Sequence, residues 1–84
     1  MDTSQLRQAI CSQVARVLRE EREKRGLSMT VLGERAGLSQ QMVSYVERGL
    51  RNPSLDTLLR LSGALGISLE AVVRRARSAA LHAR

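Results

Sequence analysis

A three-residue signal, Gly-apolar-Ser, recurs at 26–28 (GLS), 37–39 (GLS) and 66–68 (GIS). It constrains the fold more than any other feature of the chain. Glycine accepts the left-handed conformation just past a helix end, and serine caps the free amides at the start of the next helix. Each triplet therefore reads as a stop followed at once by a start. The residue between, Leu27, Leu38 or Ile67, can fold back on the core. A longer junction, GLRNPS at 49–54, has the same ends: Gly49 stops a helix, Pro53 forbids its continuation and Ser54 caps the next.

These marks divide the chain into five helical segments. The first, about 4–25, carries Leu6, Ile10, Val14, Val17 and Leu18 at steps of three and four, one apolar stripe on a long helix. The second, about 29–36, carries Val31, Leu32 and Ala36; the third, about 40–48, carries Val43 and Val46. The fourth, about 55–65, offers Leu55, Leu58, Leu59, Ser62 and Leu65, and the fifth, about 69–80, Leu69, Val72, Val73, Ala76 and Ala80. No segment alternates with period two, so the chain is predicted to be all-α. Gly33 and Gly63 lie inside helices, where each costs about 1 kcal/mol relative to Ala. Close approach of a neighbouring helix is the expected reason, and for Gly33 that neighbour is the third helix.

Eighty-four residues predict a single domain over 1–84. A domain this small is only marginally stable unless something helps it. The one cysteine, Cys11, has no partner for an internal disulfide, and no Cys/His cluster builds a metal site. Self-association is the remaining aid. Cys11 reads as a small apolar filler, and a lone thiol fits a reducing cytoplasm. Fourteen Lys+Arg against eight Asp+Glu give a net charge of +6, and Lys24 is the only basic residue that is not Arg. That excess favours a polyanionic partner, although composition alone does not separate this from an ordinary solvated surface. No apolar run is long enough for a membrane span, and MDTSQLRQ lacks the apolar core of a secretory signal.

The third segment, QQMVSYVER, holds the only aromatic residue, Tyr45. At 100° per residue from Gln40, Val43 lies at ~300°, Val46 at ~240° and Glu47 at ~340°. Gln41 at ~100°, Tyr45 at ~140° and Arg48 at ~80° share the opposite face, with Ser44 at its edge and Gln40 in the first turn. A Gln amide can bond adenine N6 and N7 together, and an Arg can grip guanine O6 and N7. Gln40, Gln41, Ser44, Tyr45 and Arg48 are therefore the candidate base-contacting residues. The turn before this helix is short enough for a helix-turn-helix over about 28–48. Glu47 falls on the inward face, where a carboxylate needs a partner. Arg22 on the first helix is the candidate.

From about Val14 to Val73 the chain resembles the helix-turn-helix domain of the phage repressor/Cro class, the XRE family. The resemblance rests on R-E-x-R-G-L-S at 22–28, L-G-E-R-A-G-L-S-Q-Q at 32–41, V-S-Y-V-E-R-G at 43–49, N-P-S-L-D-T-L at 52–58 and L-G-I-S-L at 65–69. It implies a compact five-helix repressor-like fold, here with an N-terminally extended first helix. It also implies that the third helix enters the major groove of operator DNA. Gln40, Gln41 and Tyr45 match base-contacting positions. Ser39, Arg51 and Asn52 match backbone-contacting positions, and Ser28 joins them as the cap of the second helix. Arg22 and Glu47 match an ion pair between the first and third helices. The chain departs from the family in four places: Met29 stands where many members have a phosphate-binding Gln, Gly33 where a small Ala is usual, Leu50 where a basic loop residue is frequent, and Glu21 where many have Leu.

The expected function is sequence-specific binding of double-stranded DNA by a homodimeric transcriptional regulator in the cytoplasm, at the nucleoid of a prokaryote or under phage control. Val72, Val73, Ala76 and Leu81, with the N-terminal turns, are the expected dimer surface. A phage repressor, a restriction–modification controller and a host regulator remain open. The alternative class is an antitoxin or other interaction module whose DNA binding is autoregulatory, but the short tail after the fifth helix argues against a toxin partner. A non-specific nucleoid binder would carry Lys and Arg where this third helix has Gln-Gln. No catalytic set, cofactor or metal is expected.

Overall fold

The computed structural model describes residues 2–50 and 52–82. Within them the chain forms five helices and no strand: α1 (Thr3–Lys24), α2 (Met29–Ala36), α3 (Gln40–Glu47), α4 (Leu55–Leu65) and α5 (Leu69–His82). The all-α expectation holds, and the predicted boundaries are met within two residues.

The repeated sequence signal becomes a repeated backbone motif. Each glycine amide donates to the carbonyl three residues back, and the next amide donates to the carbonyl five back from itself. Gly26 and Leu27 reach Glu23 and Arg22 at 2.9 and 3.2 Å; Gly37 and Leu38 reach Glu34 and Gly33 at 3.4 and 2.8 Å. Gly49 and Leu50 reach Val46 and Tyr45, both at 3.1 Å; Gly66 and Ile67 reach Gly63 and Ser62 at 3.1 and 3.0 Å. Such a closure needs a left-handed residue, which Gly37 supplies with φ of +71°. The starts are equally uniform. The hydroxyls of Ser28, Ser39, Ser54 and Ser68 accept from the amides of Val31, Met42, Thr57 and Ala71 at 3.0–3.1 Å.

The apolar residue that follows each glycine does not always do the same thing. Leu27, Leu38 and Ile67 fold back against the core, but Leu50 is 56% exposed. The difference lies in the connection. Three junctions pass straight into a serine cap, which turns the chain inward, whereas after Leu50 three residues intervene before Ser54.

The core is built from Val14, Val17 and Leu18 of α1, Leu32 and Ala36 of α2, Val43 and Val46 of α3, Leu61 and Leu65 of α4, and Val72 and Ala76 of α5. On α4 the buried stripe is Leu61, Ser62 and Leu65, with Leu58 half-buried, while Leu55 and Leu59 face solvent. Leucine at five of eleven positions made two stripes possible, and the apolar pattern alone did not choose between them. Cys11 is also exposed rather than a core filler, on the wall of a groove of about 390 Å³ between α1 and the α3–α4 loop.

α1 and α5 lie antiparallel: Glu21 meets Arg75, while a shallow cleft brings Gln13 beside His82. The later turns of α1, from Gln13 to Glu21, thus serve as a bed for α5, while the extra N-terminal turns border the groove beside the α3–α4 loop. This corrects the expected dimer surface. Val72 and Ala76 are 0% exposed within the single chain, so they have no surface to offer, and only Val73 and Leu81 remain outside.

The interior glycines also separate. A Cβ on Gly33 would sit 2.7 Å from the Leu38 carbonyl oxygen, so the α2–α3 turn, rather than α3 itself, is what requires a bare backbone there. Among the described residues a Cβ on Gly63 would meet nothing within 4 Å, and no neighbouring helix of this chain approaches it.

Candidate nucleic-acid interface

α3 is eight residues long, too short to hold its shape without support. Its support comes from the inward face. Val43 and Val46 are fully buried. Glu47 accepts two hydrogen bonds from Arg22, from Nε at 2.7 Å and from Nη2 at 2.9 Å. The third edge of the guanidinium donates to the Leu27 carbonyl at 2.8 Å. With side chains 11% and 2% exposed, this is a desolvated, two-pronged pair, the geometry in which Arg holds a carboxylate best. The bonds from Glu47 raise the Arg22 pKa above its ordinary value. The predicted tie between α1 and α3 is present as expected.

At the other end, Ser39 caps the helix, and the absent Gly33 side chain lets the α2–α3 turn close against α2. A serine hydroxyl that accepts a capping bond still has its own O–H to donate. Ser28 and Ser39, both exposed, are placed to do so. Their two helices meet at the α2–α3 turn. The Gln40 amide lies 4.0 Å from the Met29 sulfur, a soft and weak acceptor.

The outward face carries the predicted set. Gln40, Gln41 and Arg48 are exposed; Ser44 and Tyr45 are half-buried. Gln41 Nε2 donates to the Tyr45 hydroxyl at 2.7 Å, one turn along. This bond uses one of the two amide hydrogens. The carbonyl oxygen and the second hydrogen stay available, which is the donor–acceptor pair that an adenine edge matches. Tyr45 thus orients a neighbour as well as presenting its own ring.

Charge is distributed unevenly over the surface. Arg16, Arg19, Arg22, Arg25, Arg60 and Arg75 are each bridged to a carboxylate. Arg48, at the end of α3, meets no carboxylate within the described residues. Asn52 is exposed in the α3–α4 loop, beside the groove that Cys11 and Arg7 line. Arg51, the other expected backbone contact, lies outside the described residues.

Reading of the sequence missed one site. Glu21 is buried on α1, and its carboxylate accepts from Arg25 one turn along and from Arg75 of α5 at 2.8 Å. Hydrogen bonds from Arg25 and then Arg75 lower its pKa from 4.5 to about 2, against the opposing cost of burial. The sequence marks this position only as a departure from the Leu that the family resemblance implies. The signal was available, since Glu21 falls at ~340° on the helix where Val14 sets 0°, inside the apolar stripe. Its partner was not, because Arg75 lies 54 residues away.

Among the described residues no group of His, Cys, Asp and Glu could hold a metal, and no helix is long and apolar enough to cross a membrane.

Residues 18–72 match the family model described as helix-turn-helix. An uncharacterised HTH-type transcriptional regulator of Mycobacterium tuberculosis is 46% identical over 59 residues, 70% of this chain and 42% of the relative. A second uncharacterised HTH-type regulator, from Sinorhizobium fredii, is 43% identical over 63 residues, 75% of this chain and 77% of the relative. The immunity repressor protein of Bacillus phage phi105 is 44% identical over 52 residues, 62% of this chain and 36% of the relative. The chain spans less than half the length of the mycobacterial and phage proteins it matches.

Proposed function

From the premise that this chain belongs to the helix-turn-helix family, in its phage repressor/Cro class, we propose that it binds double-stranded DNA sequence-specifically as a homodimeric transcriptional regulator. α3 enters the major groove. Gln40, Gln41, Ser44, Tyr45 and Arg48 meet base edges, while Ser28, Ser39, Arg51 and Asn52 hold the sugar–phosphate backbone. A cytoplasmic site of action at the nucleoid follows from the DNA partner, and the reading requires no enzymatic activity. The names carried by the mycobacterial, rhizobial and phage relatives support regulation of transcription.

The observation that carries the reading is the division of α3 into two faces. One is fixed by Val43, Val46 and the Arg22–Glu47 pair; the other presents amide, hydroxyl and guanidinium groups and no large aliphatic side chain. A surface helix serving only solubility has no need of so firm a mount. Phosphate contacts set register, and base contacts set sequence.

Selection of bound duplexes from a randomised pool gives the test. It should return a two-fold symmetric site with half-sites one turn apart, about 34 Å. Gln41→Ala should then cost about 1–3 kcal/mol at one base pair and relax selectivity there. Asn52→Ala should weaken all sequences alike. Arg51→Ala should also reduce the salt slope by roughly one unit. Recovery of no preferred sequence, or unchanged operator binding by all three variants, would sink the proposal.

A further inference from the structure

Most of the outer surface is explained by solvation or by the face of α3. One part is not. Among the described residues five large apolar side chains are exposed, and three of them, Leu50, Leu55 and Leu59, belong to the end of α3's loop and the outer side of α4. Leu55 and Leu59 are one turn apart, 65% and 52% exposed. The next residue along the same stripe is Gly63, at ~80° where Leu55 sets 0° and Leu59 lies at ~40°. Gly63 weakens its helix, yet among the described residues no atom outside its own helix backbone comes near enough to require it. Leu50 is the only one of the four post-glycine apolar residues that leaves the core. Exposed leucines and an unexplained helical glycine on one stripe are what a closely packed partner helix would account for.

We propose that this face of α4, with Leu50, is where a second copy of the chain docks, Gly63 allowing the two helices to approach closely. The proposal deepens the homodimer reading above and rests on it. Charge selects the occupant. In a two-fold interface each patch meets itself. Flanking the leucines, Asp56 and Arg60 form a pair at 2.8 Å, both exposed. Across a two-fold axis, Asp56 of each copy can face Arg60 of the other, so the rim is self-complementary.

α5, the expected surface, meets this test less fully. With Val73 at 0°, its outer stripe holds Arg77 at ~40°, Glu70 at ~60° and Leu81 at ~80°, with Arg74 alongside at ~100°. Pairing that stripe with itself brings two Arg and one Glu from each copy, an excess of positive charge on a chain already at +6. Apolar core and paired polar rim is the arrangement of homodimer interfaces, and α4 offers it with its charges balanced.

Sedimentation of the full chain at tens of micromolar, alongside titration of a single half-site duplex and a full symmetric duplex, tests the proposal. Leu59→Glu and Gly63→Gln are expected to convert a dimer to monomer and to lose cooperativity on the full site. Their half-site affinity and helical circular dichroism should be unchanged, because both positions are exposed. Asp56→Arg should weaken the dimer, and adding Arg60→Asp should restore it. Val73→Glu and Leu81→Glu should leave the dimer intact. A monomeric parent chain, dimers that survive Leu59→Glu, or dimers broken by the α5 variants alone would each overturn the α4 assignment. Failure of the parent chain to bind even the half-site would instead strike the DNA-binding reading, whatever its state of association.

Discussion

Two carboxylates sit in the interior against α1, and they are held in different ways. Glu47 is gripped by one guanidinium, Arg22, through two bonds, with both side chains almost out of water. Glu21 is shared by two, Arg25 and Arg75, whose side chains are 35% and 44% exposed. The first pair joins α1 to the helix with the polar outer face, the second joins α1 to α5. Removing a buried acid hurts in proportion to what it leaves behind. Arg22 would be left desolvated and unpaired, whereas Arg25 and Arg75 can turn to solvent. The comparison therefore predicts one indispensable pair and one replaceable one.

The sharpest way to break that contrast is Glu47→Ala, expected to cost about 3–5 kcal/mol, the range for stranding a buried charge. Urea denaturation measures it directly, and a cost below that of the corresponding Glu21 variant would reverse the ranking. A double-mutant cycle comes next. Coupling between Arg22 and Glu47 should exceed roughly 2 kcal/mol, while coupling between Glu21 and Arg75 should fall near the 0.2–1 kcal/mol of solvent-accessible pairs.

Third, Glu21→Ala should cost about 1–2 kcal/mol at neutral pH, as a lost set of charge-assisted bonds whose donors rehydrate. Its pH dependence has a definite sign. The folded pKa of about 2 lies below the 4.5 of the free side chain, so between these values the unfolded chain binds the extra proton. The contribution of Glu21 is complete above pH 4.5 and lost as pH falls towards 2. Thermal melts of parent and variant should differ fully at pH 6 and converge in acid. Smallest of all, Glu21→Leu should change stability by less than about 1 kcal/mol, because a well-packed apolar residue commonly replaces a buried ion group without loss.

The same two residues show what the sequence could reveal. Glu47 was legible because its helix is short and two-sided: an acid among valines on the inward face had to have a partner, and a long arginine lay one helix away. Glu21 stood on a stripe just as apolar, but its partner depended on the register of α5 along α1, which only packing decides. α4 failed for the opposite reason. Leu55, Leu58, Leu59, Leu61 and Leu65 gave too much apolar signal, and the buried choice was set by how α4 meets α2 and α5. The outward residues of α3 were found because turns, caps and a 100° step determine a face without reference to distant contacts. Buried Val72 and Ala76 were mistaken for surface because nothing local says which of two stripes on α5 will meet α1.

The antiparallel seat of α5 on α1 has a consequence in time. Protein synthesis proceeds from the amino end, so the stripe of Val14, Val17 and Leu18 emerges well before Val72 and Ala76, which cover part of the same core. Contacts between distant parts of the chain, such as Glu21 with Arg75 across 54 residues, carry a large loop-closure cost and reward it only once α5 has emerged. A growing chain that already displays α3 still has a half-covered first helix. The arrival of α5 is therefore the step at which a collection of short helices becomes a folded molecule.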